Sequence, residues 1–221
     1  MIPPEEFIRL AEETGLIIHL DRLVLDEACR QMSEWHQQFP TDPLLTISVN
    51  ISGKQFVQGD LIGFIQETLK TTGLDARCLK LEITESAIME NIEHTNDIFA
   101  RLKQLGIQIE IDDFGIGYSS LSYLSHFPIS AVKIDRSFVN LMSKDGSQLK
   151  IVQAIVMLAH GLGIEVIAEG VETENQLLQI RALGCEQAQG YIVSMPADSH
   201  SVRELLVAAQ SGEKLYPPMF S

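Results

Sequence analysis

The chain has 221 residues, 45% hydrophobic and 21% charged, with a formal charge of −14. That length suits one core, and a single α/β barrel of roughly 200–250 residues would use it fully. A surface this acidic repels a nucleic-acid polymer, and a small anionic substrate would need local cations, which ions held by carboxylates would supply.

From the N-terminus, apolar residues at helical spacing predict helices over Glu5–Thr14 and His19–Gln38, then a β-branched run predicts a strand over Leu45–Ile51. Helix Leu61–Thr72 leads to strand Leu79–Thr84, and helix Ile92–Leu105 to strand Ile107–Asp112. Next come strand Ala131–Asp135, helix Ser147–Leu162, strand Glu165–Glu169 and helix Glu174–Leu183. A weaker strand over Ala188–Val193 and helix Ser201–Gln210 close the pattern. No linker, repeat or low-complexity segment interrupts it, so one domain over 1–221 is expected. No apolar run approaches the roughly 18 residues that span a bilayer, and no basic-then-apolar leader is present. Cys29, Cys78 and Cys185 are scattered and odd in number, which fits a reducing cytoplasm and neither a disulfide frame nor a zinc site.

Alternation of strands and helices argues for a parallel sheet with helical crossovers. Within the strands, apolar residues alternate with polar ones: Leu79, Leu81 and Ile83 with Lys80, Glu82 and Thr84, and Ile107, Ile109 and Ile111 with Gln108, Glu110 and Asp112. A doubly wound sheet wants two apolar faces, whereas a barrel with a polar mouth accommodates one of each. The closed arrangement is expected.

Charged and amide residues gather at the C-terminal ends of these strands: Asn50, Glu82 and Glu85, Asp112 and Asp113, Lys133 and Asp135, Glu169 and Glu172. Acids crowded on one rim demand cations, and an all-oxygen donor set suits magnesium or manganese. Taken singly, each is an ordinary solvated loop acid; it is their recurrence at five strand ends that points to a metal site. Asp112-Asp113 at a strand end would hold two ions close together, an arrangement suited to phosphodiester hydrolysis. The following Gly115-x-Gly117-x-x-Ser120 has the outline of a degraded dinucleotide fingerprint, but two aspartates before it would repel a pyrophosphate and a third glycine is lacking. Six histidines form no HxH, HExxH or His-Asp dyad. Trp35 and Met32 read as packing.

The ordered motifs resemble those of EAL domains. Ser48-Val49-Asn50-Ile51-Ser52 with Gln55 resembles VNLSxxQ, Leu81-Glu82-Ile83-Thr84-Glu85 resembles LExTE, and Asp112 through Leu121 is similar to DDFGTGYSSL. Lys133-Ile134-Asp135-Arg136-Ser137-Phe138 resembles KIDxxF, Ala168-Glu169-Gly170-Val171-Glu172 matches AEGVE, and Gln189-Gly190-Tyr191 matches QGY. Pro4 to Ile17 resembles PxxFIxxAExxGLI, so the likeness is collinear along the chain.

The resemblance implies a modified TIM barrel that hydrolyses cyclic di-GMP to linear pGpG with two magnesium or manganese ions. It gives Asn50, Glu82, Asp112, Asp113 and Gln189 roles at the metals, the last through water. Lys133 contacts the attacking water and the phosphate, Glu169 is the general base or a second-metal partner, and Glu85 steadies the loop after Asp112-Asp113. Gln55, Asp135, Gly190, Tyr191 and Pro196 fall at substrate-binding positions. Homodimerisation beside the Asp112-Asp113 turn, and sensor or GGDEF domains in a parent protein anchored elsewhere, follow from the same likeness. Ile116 and Val193 depart from the usual threonine and aromatic. The Glu-Ala-Leu strand, with a metal-binding glutamate and a phosphate-contacting arginine, belongs about 20 residues before Pro4 in the family. A barrel lacking its first strand, with impaired turnover, is therefore expected. Two readings stay open: a cyclic di-GMP phosphodiesterase, and an inactive EAL module that binds cyclic di-GMP or a partner.

Overall fold

The computed structural model describes residues 4–58, 60–116, 124–142 and 146–211. The chain divides into two compact units, Met1–Ile109 and Glu110–Ser221. The division falls within one strand, and among the described residues every strand pairing in either unit is parallel.

The first unit opens with α1 (Pro4–Thr14) and α2 (Ile17–Gln38), followed by β1 (Ile47–Asn50), α3 (Gly53–Gln58) and α4 (Leu61–Thr72). A 3-10 turn at Ala76–Cys78 leads into β2 (Leu79–Thr84), then α5 (Glu85–Met89), α6 (Ile92–Leu105) and the start of β3 (Gln108–Phe114). Strands β1 and β2 align from Ile47↔Leu79 to Asn50↔Glu82. Leu79, Leu81 and Ile83 are fully buried, and their neighbours Lys80 and Glu82 are nearly so. The polar face of β2 is therefore interior as well. Phe56 and Phe99 pack with ring centroids 5.7 Å apart in a tilted arrangement, within the favoured range for aromatic pairs.

Helix α2 buries a stripe of Ile17, Asp21, Leu25, Cys29, Met32 and Trp35, spaced by three or four residues as one helical face requires. One member is an acid. Asp21 Oδ2 accepts from the Ser52 amide at 3.0 Å and from the Ser52 hydroxyl, while Ser52 Oγ accepts from the Gln55 amide at 3.2 Å. The chain leaving β1 is thereby fastened to α2, and the first turn of α3 is satisfied. Burial pushes the Asp21 carboxyl pKa up, partly countered by the two bonds from Ser52.

The second unit holds the rest of β3, β4 (Ala131–Ile134), α7 (Arg136–Met142), α8 (Gly146–Gly161), β5 (Glu165–Ala168), α9 (Glu174–Leu183), β6 (Gln187–Ala188) and α10 (Ser199–Gln210). Its strands pair in the order β3-β4-β5-β6. Glu110 and Lys133 are 1% and 2% exposed among buried aliphatic neighbours, so here too the polar side chains of the strands point inward.

Six strands alternate with helices, the α/β class expected. The short helices α3, α5 and α7 were not anticipated, because five to seven residues are too few to display an apolar period. Strand β6 stops at Ala188 instead of running to Val193. Its successor Gln189 still bonds Ala168. Gly190 then turns the chain, with its carbonyl accepting from the Val193 and Ser194 amides. The Gly117–Leu121 part of the long motif and the Tyr216–Pro218 tail lie outside the described residues.

Asp21→Ala should lower unfolding free energy by about 1 kcal/mol or more, because the half-buried Ser52 donors lose their acceptor. Asp21→Asn should cost less, since an amide oxygen can accept the same bonds. With its pKa raised above the ordinary 3.8, the wild-type carboxyl stabilises most at pH below that value, and this contribution fades as pH rises through the raised pKa. The asparagine variant lacks that fade. Urea melts of the three proteins at pH 4 and pH 7 measure both effects.

Candidate active site

In the second unit, Glu110 pairs with Ala131, Ile111 with Val132 and Phe114 with Ile134. Two residues of β3, Asp112 and Asp113, therefore face the single residue Lys133 of β4. This is a β-bulge, which bends the strand and re-aims its side chains. Asp113 adopts φ 55°, the only described non-glycine residue with a positive φ, and aspartate is among the few residues that tolerate that region. Its amide donates to Asp112 Oδ1 at 3.0 Å. In a flat strand adjacent carboxylates point to opposite faces; the bulge removes that constraint.

Lys133 stands at the centre. Its Nζ lies 2.7 Å from Glu169 Oε1 and 3.4 Å from Asp112 Oδ1, with the lysine side chain 3% exposed. Glu169 follows β5, and its amide extends the β4–β5 ladder by donating to the Ile134 carbonyl at 3.0 Å. Asp135 is buried, and its Oδ1 accepts from the Ser137 amide at 2.9 Å in the first turn of α7. The Asp113 carboxyl is pushed above the usual aspartate range, first by burial and then by the charges of Asp112 and Asp135, against a smaller opposing pull from Lys133 and Arg136.

Gln189 is held through its backbone, donating to Ala168 at 2.8 Å and accepting from Val171 at 3.1 Å, while its side chain is exposed. Tyr191 is 59% exposed, and Pro196 is exposed beyond it. Gly190 presses on the neighbouring loop so closely that a Cβ there would stand 2.4 Å from the Val171 nitrogen. No side chain fits in its place.

In the first unit, exposed Asn50 and buried Glu82 are register partners at the ends of β1 and β2, and the Ile51 amide donates to the Glu82 carbonyl at 2.9 Å. Glu85 opens α5 and is half-buried. Gln55, expected at the substrate, is 1% exposed, and neither its Oε1 nor its Nε2 finds a partner among the described residues. Each unit thus brings its own share of the expected residues to consecutive strand ends.

The donor set is oxygen-only apart from Lys133, as magnesium and manganese prefer. Among the described residues no three carboxylate, histidine or cysteine side chains already form a cluster. The chemistry still fits a divalent cation, since the crowding of negative charge that disfavours the ionised Asp113 is what an added cation would relieve. Two residues with buried polar side chains were not anticipated, Asp21 beside Ser52 in the first unit and Gln176 in α9 of the second. The first is visible as an acid on an apolar helix stripe, the second as the fourth residue of a Thr-x-x-Gln capping pattern.

Residues 1–196 match the EAL domain family. The chain is 42% identical over 196 residues to the bifunctional diguanylate cyclase/cyclic di-GMP phosphodiesterase MucR of Pseudomonas aeruginosa, covering 89% of this chain and 28% of that protein. It is 40% identical over 208 residues to the cyclic di-GMP phosphodiesterase NbdA of the same organism, covering 94% of this chain and 26% of that one. The solved PaMucR phosphodiesterase in complex with c-di-GMP superposes with a TM-score of 0.87 at 41% identity, over 91% of this chain and 81% of that one. The chain thus spans about a quarter of the length of these curated relatives. It belongs to the EAL domain family.

Proposed function

We infer that this chain is the catalytic module of a cyclic di-GMP phosphodiesterase that opens one phosphodiester bond to give linear pGpG. The observation that carries the reading is the buried Lys133 ammonium held between Asp112 and Glu169, beside a bulge that also delivers Asp113. A scaffold has no physical use for a buried cation between two acids at a strand end, since such pairs rarely add net stability. A hydrolase does. Relatives named as cyclic di-GMP phosphodiesterases, at 40% identity and above, support the same assignment.

In this reading Lys133 donates to a non-bridging phosphoryl oxygen and offsets the charge that develops there. Glu169, already partnered with Lys133, accepts the proton of the attacking water. Asp112, Asp113 and Gln189 would hold magnesium or manganese, and the family resemblance assigns Asn50 and Glu82 of the first unit a role at the metals as well. When bound, those ions would supply Lewis acidity to the phosphodiester and to the attacking water. Glu85 steadies the turn after Asp113. Asp135, Gly190, Tyr191 and Pro196 contribute contacts to the dinucleotide, and the family resemblance assigns Gln55 of the first unit to substrate binding too. A homodimer and fused sensor or GGDEF domains belong to the same proposal, since the relatives are far longer than this chain.

The 221-residue chain should release pGpG from cyclic di-GMP in magnesium or manganese, more slowly than a chain that includes the family's Glu-Ala-Leu strand, and lose that activity in EDTA. Absence of turnover with retained cyclic di-GMP binding would favour the binding module instead. Asp112→Asn and Asp113→Asn keep shape but remove charge, so each should abolish metal-dependent turnover while circular dichroism stays unchanged. Normal rates in both variants would sink the two-metal assignment.

Lys133→Ala tests the electrostatic role separately. It should lower kcat by roughly 100-fold or more with a much smaller effect on cyclic di-GMP affinity. A pure affinity defect at normal kcat would make Lys133 a substrate anchor.

A further inference from the structure

Between Glu169 and α9 the chain passes through Gly170, Val171, Glu172 and Thr173, and three contacts immobilise it. Gly170, at φ 65°, lies against the start of α7, where a Cβ would stand 2.4 Å from Arg136 Cβ and 3.2 Å from its Cα. Val171 is fully buried, donates to the Gln189 carbonyl and accepts from the Ile192 amide, both at 3.1 Å. The third contact is the side chain of Gln176, 5% exposed.

Gln176 Oε1 accepts from the Glu172 amide at 2.8 Å, the Thr173 amide at 2.9 Å and the Thr173 hydroxyl at 3.1 Å. Its backbone amide donates to Thr173 Oγ1 at 3.2 Å, which completes a capping box for α9. A capping box needs only the oxygen end of the amide. Here the nitrogen end is used as well: Nε2 donates to Asn140 Oδ1 at 3.2 Å and, at the limit of bonding, to the Val139 carbonyl at 3.5 Å. Both acceptors belong to α7, the helix that starts directly after Asp135. The carboxamide presents an acceptor to the loop and a donor to the helix from one side chain; an ionised glutamate offers the first function alone and leucine neither.

We propose that Gln176 is a positioning residue for turnover, registering the β5–α9 loop on α7 and so fixing Glu169 against Lys133 and Gln189 beside it. The proposal rests on the phosphodiesterase reading for its kinetic consequence but not for its structural one. Glu169 is four residues from Thr173, the N-cap of α9, and its carboxylate meets Lys133 at 2.7 Å. A loop released from α7 shifts that carboxylate, and misplacement by about 1 Å can cost on the order of 100-fold in rate.

Two measurements on the 221-residue chain test this, with Gln176→Leu removing both functions and Gln176→Glu keeping the cap but cutting the link to α7. In Gln176→Leu, kcat should fall at least about tenfold with KM within about threefold of wild type; Gln176→Glu should lie between. Amide hydrogen exchange at Glu169, Val171 and Gln189 in the substrate-free protein should quicken roughly tenfold in Gln176→Leu while Leu25 in α2 is unchanged. Wild-type kcat in folded Gln176→Leu, or unaltered exchange at the three amides, overturns the proposal. Should Gln176→Leu not fold, Gln176→Glu carries the same measurements, and wild-type kcat and exchange there overturn it equally. If exchange responds but the wild-type chain never releases pGpG, the phosphodiesterase reading falls and the positioning role stands.

Discussion

The second unit is organised around one buried cation. Lys133 sits in the middle of β4 with almost no access to water, and burial of an ammonium is tolerable only where anions surround it. Glu169 supplies the near partner from the strand on one side and Asp112 the farther one from the strand on the other. Because each partner is delivered by a neighbouring parallel strand, the register of three strands decides whether the lysine is neutralised. The bulge at Asp112-Asp113 belongs to that requirement. It adds one residue to β3 exactly where β4 contributes Lys133, so the ladder resumes at Phe114↔Ile134 with a second carboxylate displaced to the strand end.

The loops that follow β5 and β6 have little freedom for the same reason. Glu169 must meet Lys133, and the backbone beyond it is pinned by features that leave no room for substitution: a glycine against Arg136, a glycine against the Val171 backbone, and a carboxamide shared between α9 and α7. These contacts satisfy the backbone groups of Val171 and the amides of Glu172 and Thr173 within the protein. Rigidity is therefore built into the part of the chain that presents the acid. Tyr191 and Pro196, further along the chain, are exposed.

Much of this is legible in the sequence, and the exceptions have identifiable causes. The long helices and the strands announce themselves through periods of 3.6 and 2, and ordered motifs mark Asn50, Glu82, Asp112, Asp113, Lys133, Asp135, Glu169 and Gln189 at strand ends. The bulge is not visible, because Asp-Asp at the end of a β-branched run is equally compatible with a simple turn. The early end of β6 is hidden because Tyr191-Ile192-Val193 has strand-like composition, whereas the close approach of Gly190 to Val171 is a tertiary fact. Gln55 shows the opposite limit: its motif position suggests an open site, yet packing of α3 encloses it. Local pattern indicates which residue types are present at a strand end; it does not say which of them faces outward.

A formal charge of −14 is in tension with the anionic dinucleotide proposed as substrate. The charges around Lys133 bear on that tension locally. One ammonium already offsets the two acids nearest to it, but Asp113 remains in an environment where burial and the charges of Asp112 and Asp135 disfavour its ionised form. A divalent cation beside Asp113 would favour its ionised form and so oppose that upward push. The acidity that repels polyanions at long range is screened within about 8–10 Å at physiological salt. At contact distance the buried Lys133 ammonium contributes positive potential that the net charge does not reveal.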